Sequence, residues 1–262
     1  SGPQPVESSS ISVLPDIAVP LSFARDQAPR THRYDTGATY TGDWSGSMRH
    51  GYGVQVWPDG ARYEGQWMRD AAHGRGKFVH ADGDVYEGEV EADKAHGHGT
   101  YHHTDGSTCE GEWSHDRQCG EGIEVWSDGS RFEGRYADGQ KHGPGCFAWA
   151  NGSRYEGEFA ANSLSGLGTY VWSDGRRYEG QWRDNQMHGR GLSSWPDGSA
   201  YEGEYEADLK HGRGSFRWGD GREYEGQWLL GKQHGRGQLS SAKGARRAGE
   251  WEEGRHRRWI DE

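Results

Sequence analysis

One feature constrains this chain more than any other: it repeats itself every 23 residues. Tyr40, Tyr63, Tyr86, Cys109, Phe132, Tyr155, Tyr178, Tyr201 and Tyr224 follow one another at that step without an insertion or deletion. Nine full units cover 40–246, and a partial tenth starts at Arg247. A period of this length marks an array whose units bury their apolar surface only against their neighbours. Positions three, twelve, fourteen and twenty-one are Gly in all nine units. Position five is aromatic in eight, with Val90 the exception; position eleven is His in seven, position eighteen Trp in six and position twenty Asp in seven. Glycine at this density excludes helix, since each costs roughly 1 kcal/mol in a helix interior.

The pattern predicts one β-hairpin per unit. Tyr63-Glu64-Gly65-Gln66-Trp67 alternates with period two, the mark of a half-buried strand. Gly168-Thr169-Tyr170-Val171-Trp172 reads as the second strand, and the His-Gly segment between the two as a loop. The Asp-Gly pair that follows is a hairpin turn linking one unit to the next. Pairing large with small residues sets Phe159 across from Gly168, Gly157 across from Tyr170 and Tyr155 across from Trp172. The opposite face carries Glu at position two in eight of nine units, and Asp43, Glu89, Glu112, Glu158 and Glu204 at position four. It reads as a solvated face. About eighteen strands at roughly 4.8 Å spacing make a rod on the order of 85 Å long.

Composition enters here. Only 29 residues are Leu, Ile, Val or Phe, too few for an aliphatic core, whereas 13 Trp and 13 Tyr argue against disorder. The expected core is therefore aromatic rings on glycine. The net charge of −11 argues against nucleic acid as a partner. No stretch approaches the ~20 apolar residues of a membrane span. Three cysteines, Cys109, Cys119 and Cys146, are no disulfide framework and suggest a reducing compartment.

Units such as Tyr178-Glu179-Gly180-Gln181-Trp182, followed by His188-Gly189-Arg190-Gly191 and Trp195-Pro196-Asp197-Gly198, resemble the MORN repeat (membrane occupation and recognition nexus). The resemblance covers about four fifths of the chain. It implies an all-β fold: an elongated, twisted, single-layer antiparallel sheet of hairpin repeats with an aromatic-lined groove. It also implies scaffolding and tethering roles, as in junctophilins, radial spoke heads and cytoskeletal scaffolds. The fourth unit departs from the pattern with Cys109, Cys119 and Glu124, the sixth with Ser165, and the ninth with Ser241 and Lys243.

Two regions flank the full repeats. Residues 1–39 hold five of the eight prolines and form an N-terminal extension, in which Ile17, Val19, Leu21 and Phe23 alternate. Residues 11–25 either lead freely into the array, or dock on its first hairpin as a cap or on a partner. The array runs over 40–262 and ends in a partial repeat with a basic tail, 247–262.

Enzyme chemistry finds no support. The repeat histidines read as structural side chains that neighbouring hairpins bring into a ladder. His96, His98, His102 and His103 cluster in sequence, but without a zinc-ligand spacing. The His-Gly-Arg-Gly runs precede no helix and fail as phosphate loops. We therefore expect no catalytic residue, no metal and no cofactor. The leading expectation is a scaffold that binds a partner protein segment along a groove lined by Tyr40, Trp44, Tyr63, Trp67, Tyr86, Trp113, Phe132, Tyr136, Tyr155, Phe159, Tyr178, Trp182, Tyr201, Tyr205, Tyr224 and Trp228. Its setting would be a ciliary or cytoskeletal complex in the cytoplasm, or an organelle complex if a targeting segment has been removed. The alternatives are a peripheral membrane tether, using Arg75, Arg190, Arg213, Arg236, Arg255, Arg257 and Arg258 on anionic lipid, and a regulatory module of an enzyme complex. Some relatives dimerise, which makes a homodimer a further expectation.

Overall fold

The computed structural model describes residues 29–260. Among them, 21 strands and no helix form one open antiparallel sheet. Every strand pairs with its neighbours in sequence, from Arg30–Arg33 at one edge to Arg255–Trp259 at the other. Each unit supplies a seven-residue and a nine-residue strand, as in Arg154–Ala160 and Ser163–Val171. The second strand thus begins at position nine, and the His-Gly segment is strand rather than loop. The sheet also starts ten residues before the first full unit. Arg30–Arg33 pairs with Thr39–Ser45, and Gly37 has the positive φ (+89°) of the turn glycines. The sequence stretch 11–25 lies outside the described residues.

Two turn types alternate. Within a unit, two residues such as Ala161 and Asn162 (φ +46° and +67°) form the tight turn whose twist matches the flanking strands. Between units, the amide of Trp172 donates to the Arg176 carbonyl and the amide of Gly175 to the Trp172 carbonyl, both at 2.9 Å. Asp174 closes this turn by accepting from the Arg176 amide at 3.0 Å, and that bond holds its carboxyl below the usual carboxylate range. Trp172 therefore stands at the turn and not in the strand.

The register differs from the expected one by two residues. Tyr155 faces Tyr170 and Gly157 faces Gly168; beyond them a bulge shifts the pairing, so that Glu158 faces Ser165 and Phe159 faces Leu164. A slip of two leaves every side chain on its expected face, so alternation alone does not separate the two registers. Packing does. With glycine opposite glycine, the Tyr155 ring lies over both backbones, and a Cβ at Gly168 would sit 2.3 Å from its Oη. The hydroxyl turns back to donate to the Glu158 carbonyl at 2.9 Å. Seven units repeat this lock, through Tyr40, Tyr63, Tyr86, Tyr155, Tyr178, Tyr201 and Tyr224.

The bulge explains position twelve. Its glycine has positive φ in every full unit, for example +60° at Gly189. The bulge leaves the next amide without a partner in the ladder, and position four supplies one. Gln181 accepts from the Arg190 amide, Gln66 from the Arg75 amide (both 2.8 Å) and Asp43 from the Tyr52 amide (2.9 Å). Position four is thus a cap for the bulge as well as a polar surface. In the fifth unit it is Arg135, which cannot accept, and the bulged residue there is Pro144, which has no amide to donate.

Candidate functional site

The ring-bearing face has two tiers. The lower tier consists of positions one and five. Trp182 meets Tyr178 edge-on at 5.1 Å and Tyr155 at 5.5 Å, and its indole N–H donates to the Gly168 carbonyl at 3.1 Å. The same indole bond recurs at Trp67, Trp113 and Trp228. Of the sixteen residues expected to line a groove, fourteen are buried; Trp44 and Trp113 are half-buried. The expected anchors are therefore the floor. Glycine at positions three and fourteen lets them lie flat on the backbone instead of standing up from it.

The accessible rings form the upper tier, at positions sixteen and eighteen. Trp126, Phe147, Trp149, Tyr170 and Trp172 follow one another with centroid separations of 5.0, 4.4, 5.0 and 4.5 Å, all half-buried. Trp195, Phe216 and Trp218 continue the file at 5.7 and 4.9 Å. Earlier in the array, Trp57, Phe78, His80, Tyr101 and His103 form an equivalent file. The signal in the sequence was the Trp at position eighteen; the positions whose rings line the file alternate between a strand end and a turn, which obscured their common face.

The buried rings fall into two clusters, one from Tyr40 to Val90 and one from Phe132 to Trp251. They part at the fourth unit, where Cys109 replaces the locking tyrosine. There Glu124 accepts from the Tyr136 hydroxyl at 3.0 Å and from Lys141 Nζ at 2.6 Å. Burial pushes the Cys109 thiol up to about 11, which makes it a poor nucleophile at neutral pH. Cys109, Cys119 and Cys146 are all free thiols.

Position ten points into the socket between the tiers, and cations there sit on ring faces. Lys210 Nζ lies 4.1 Å from the Phe216 centroid and 5.0 Å from those of Trp195, Tyr201 and Trp228. Burial lowers its ammonium to about 8, which leaves it protonated at neutral pH. Lys141 Nζ lies 4.8 Å from Trp126 and 5.1 Å from Phe132. The Arg49 guanidinium lies 4.2 Å from Trp67 and donates through Nε to Asp70 Oδ1 at 3.3 Å.

The remaining sequence candidates separate. Arg75, Arg190, Arg213 and Arg236 are exposed at the bulges, and alternation places them on the face opposite the rings. Across the next strand pair they meet position four, where Glu89, Glu204 and Glu250 face Arg75, Arg190 and Arg236, and Gln227 faces Arg213, so acids interleave with three of the four. Near the end of the chain, Arg257 pairs with Glu252 and Arg258 with Glu250, both at 2.7 Å, while Arg255 is exposed. The repeat histidines form no ladder. His188, His211 and His234 face position four of their own units, and His96 and His211 approach Glu91 and Glu206 at 3.3 and 3.5 Å. His103 Nδ1 contacts Asp84 at 2.9 Å, and His98 pairs across strands with Glu112. Among the described residues, no three His, Cys, Asp or Glu side chains come together as a metal site.

Comparison with known proteins bears on this geometry. The family model described as MORN repeat matches nine consecutive segments: 40–62, 63–85, 86–108, 109–131, 132–154, 155–176, 178–200, 201–221 and 224–246. No curated protein matches the chain. Among solved structures, the TCP10 domain of Danio rerio CPAP is 10% identical, with 83% of this chain and 96% of that one covered at a TM-score of 0.41. The TCP domain of SAS-4 (dCPAP) from Drosophila melanogaster, solved in complex with a proline-rich motif of Ana2 (dSTIL), is 15% identical, with 74% and 99% covered at a TM-score of 0.37. Scores this low carry no argument for function.

Proposed function

This chain belongs to the MORN-repeat family, and from that premise we propose that it is a non-enzymatic scaffold whose ring-bearing face holds a segment of a partner protein. The observation that carries this reading is the upper tier: a file of half-buried rings lying over a floor that is already packed. The floor satisfies its own polar groups and keeps the sheet rigid. The upper rings keep part of their apolar surface in water, and burying apolar surface contributes about 25 cal/mol per Å². Trp and Tyr are also the side chains that dominate binding hot spots, because they offer large area at low entropic cost. A long single-layer sheet with such a face suits the bridging of components in a larger assembly, and a ciliary or cytoskeletal complex is the setting we assign.

The test uses Trp149→Ala with Trp172→Ala, two rings of the file that lie one repeat apart. The partner that co-purifies with the native chain from its source should be lost from the double variant, with the circular dichroism of the sheet unchanged. Retention of the partner would refute the reading. Flotation with anionic vesicles is run alongside. Salt-sensitive flotation that needs Arg75 and Arg190, and ignores the two tryptophans, would favour the membrane tether instead.

A further inference from the structure

Position ten carries a long side chain in most units, namely Arg49, Gln118, Lys141, Leu164, Met187, Lys210 and Gln233, and the cations among them plug the socket. In the second and third units it is Ala72 and Ala95. Lys210 shows what the socket is made of: position eighteen of the preceding unit, positions one and sixteen of its own, and position five of the next. The same positions around Ala72 are Trp57, Tyr63, Phe78 and Val90, and around Ala95 they are His80, Tyr86, Tyr101 and Trp113. All eight line one cavity of about 530 Å³. The cavity is thus two adjacent cages that lack the plug found elsewhere.

A carboxylate accompanies each of them. In the first unit, Asp70 in the turn of the following unit receives both the Arg49 amide, at 2.8 Å, and its Nε. Asp93 and Asp116 hold the equivalent places, accepting from the Ala72 amide at 2.7 Å and the Ala95 amide at 2.8 Å, and both line the cavity. Ring faces and a carboxylate are therefore in place around each alanine-lined socket, as they are around the Arg49 guanidinium. Of the other charged or titratable groups lining the cavity, Arg49 is engaged on Trp67 and Asp70, and His80 offers a ring face. A chain of net charge −11 adds a favourable field for a basic partner.

We propose that the paired cages at Ala72 and Ala95 receive two cationic side chains, lysine or arginine, from the partner segment. This rests on the proposed docking of a partner on the ring-bearing face and names its chemistry. The cages lie one repeat, or two strand spacings, apart, which is ~9.6 Å. Residues i and i+3 of a polyproline-type segment share a face and lie ~9.3 Å apart, so such a segment with basic residues three apart fits both cages.

The experiment titrates the intact protein with the synthetic peptide Gly-Lys-Pro-Pro-Lys-Gly, followed by tryptophan fluorescence. It is run at pH 8, above the ordinary histidine range. The native chain should bind it, and Nε-acetylation of both lysines should weaken binding roughly tenfold or more. Ala72→Lys with Ala95→Lys, which plugs the cages from within as Lys210 does, should abolish binding while the melting temperature holds. Lys210→Ala opens a cage in the eighth unit and should add a second, weaker binding class. No binding to the native chain, equal binding of the acetylated peptide, or undiminished binding by the plugged variant would each overturn the proposal. If the plugged variant also keeps the native partner while the Trp149 and Trp172 variant loses it, the cages are wrong and the docking face stands.

Discussion

Gly168→Ala should be among the most damaging single-methyl additions in this chain. The added Cβ would lie 2.3 Å from Tyr155 Oη and 2.5 Å from its Cζ, and the three nearest atoms all belong to that ring. Tyr155 is 0% exposed, held edge-on by Phe159 at 5.2 Å and Trp182 at 5.5 Å, so it has no room to step aside. Relief requires the ring to leave. Removing a buried aromatic side chain from a core costs about 3–5 kcal/mol, and the lost hydroxyl bond to Glu158 about 1 kcal/mol more. We expect Gly168→Ala to cost about 4–6 kcal/mol. In a Tyr155→Ala background the methyl meets no ring and should cost under about 1 kcal/mol, leaving a coupling of at least about 3 kcal/mol. The fourth unit is an internal control. Cys109 stands there in place of the tyrosine, and a Cβ at Gly122 would meet the Tyr136 ring and the Glu110 carbonyl at 3.2 Å instead of 2.3 Å, so Gly122→Ala should cost clearly less than Gly168→Ala. Urea unfolding by tryptophan fluorescence gives the global values. Amide exchange over 154–171 reports the local ones, since repeat arrays open in parts. Additive costs for Gly168→Ala and Tyr155→Ala, or equal costs at Gly122 and Gly168, would refute the lock.

Three further outcomes follow from the same geometry. Burial raises the hydroxyls of the floor tyrosines, to about 12 for Tyr86, Tyr155, Tyr205 and Tyr224, and upward also for Tyr40, Tyr63, Tyr136, Tyr178 and Tyr201. Unfolded tyrosines ionise near 10, so this contribution is complete below pH 10 and is lost above it, at about 1.4 kcal/mol per pH unit for each tyrosine; urea midpoints should fall steeply between pH 10 and 11, after an opposite rise from the single Lys210, with the same slope per group, between about 8 and 10.5. Asn185→Ala removes the acceptor of the Leu164 amide and places alanine at φ +66°, so it should cost about 1–2 kcal/mol in denaturant unfolding, and Asn185→Gly less, because it relieves the backbone strain. Pro144→Leu restores an amide at the fifth-unit bulge with no acceptor beside it; Arg135→Gln should recover about 1 kcal/mol in that variant and little in the native chain, as a double-mutant cycle would read.

The period, the hairpins and the turns were legible because each is a local property of the residues that make it. The Asp174-Gly175 turn, for instance, carries its own hydrogen bond. The register was not. Sequence alternation fixes a face and leaves a slip of two free, and only the ring of Tyr155 lying across two glycines decides between the registers. The glycine at position twelve predicts a loop and stands at a bulge, because a residue at positive φ serves both. The exposure of the first-strand rings differs from the expected one for a related reason. A single-layer sheet was expected to leave Trp67 and Trp182 in water, yet each lies edge-on against two tyrosines. The variation at position ten carries no signal in the sequence; Lys210, Lys141 and Arg49 give it meaning by lying on ring faces of equivalent sockets.

The break in the aromatic floor at Cys109 matters most when the molecule is pulled. The described chain enters at one edge of the sheet and leaves at the other. Tension between two anchored partners therefore runs across the strands, and every strand pair carries the whole load in series. In such an arrangement strength is set by the feeblest link, however sound the others are. Seven units bear a tyrosine clasp over their glycines; the fourth bears a thiol and an ion pair. Under a force ramp the array should yield first there, parting into a shorter and a longer block that each keep their own ring cluster.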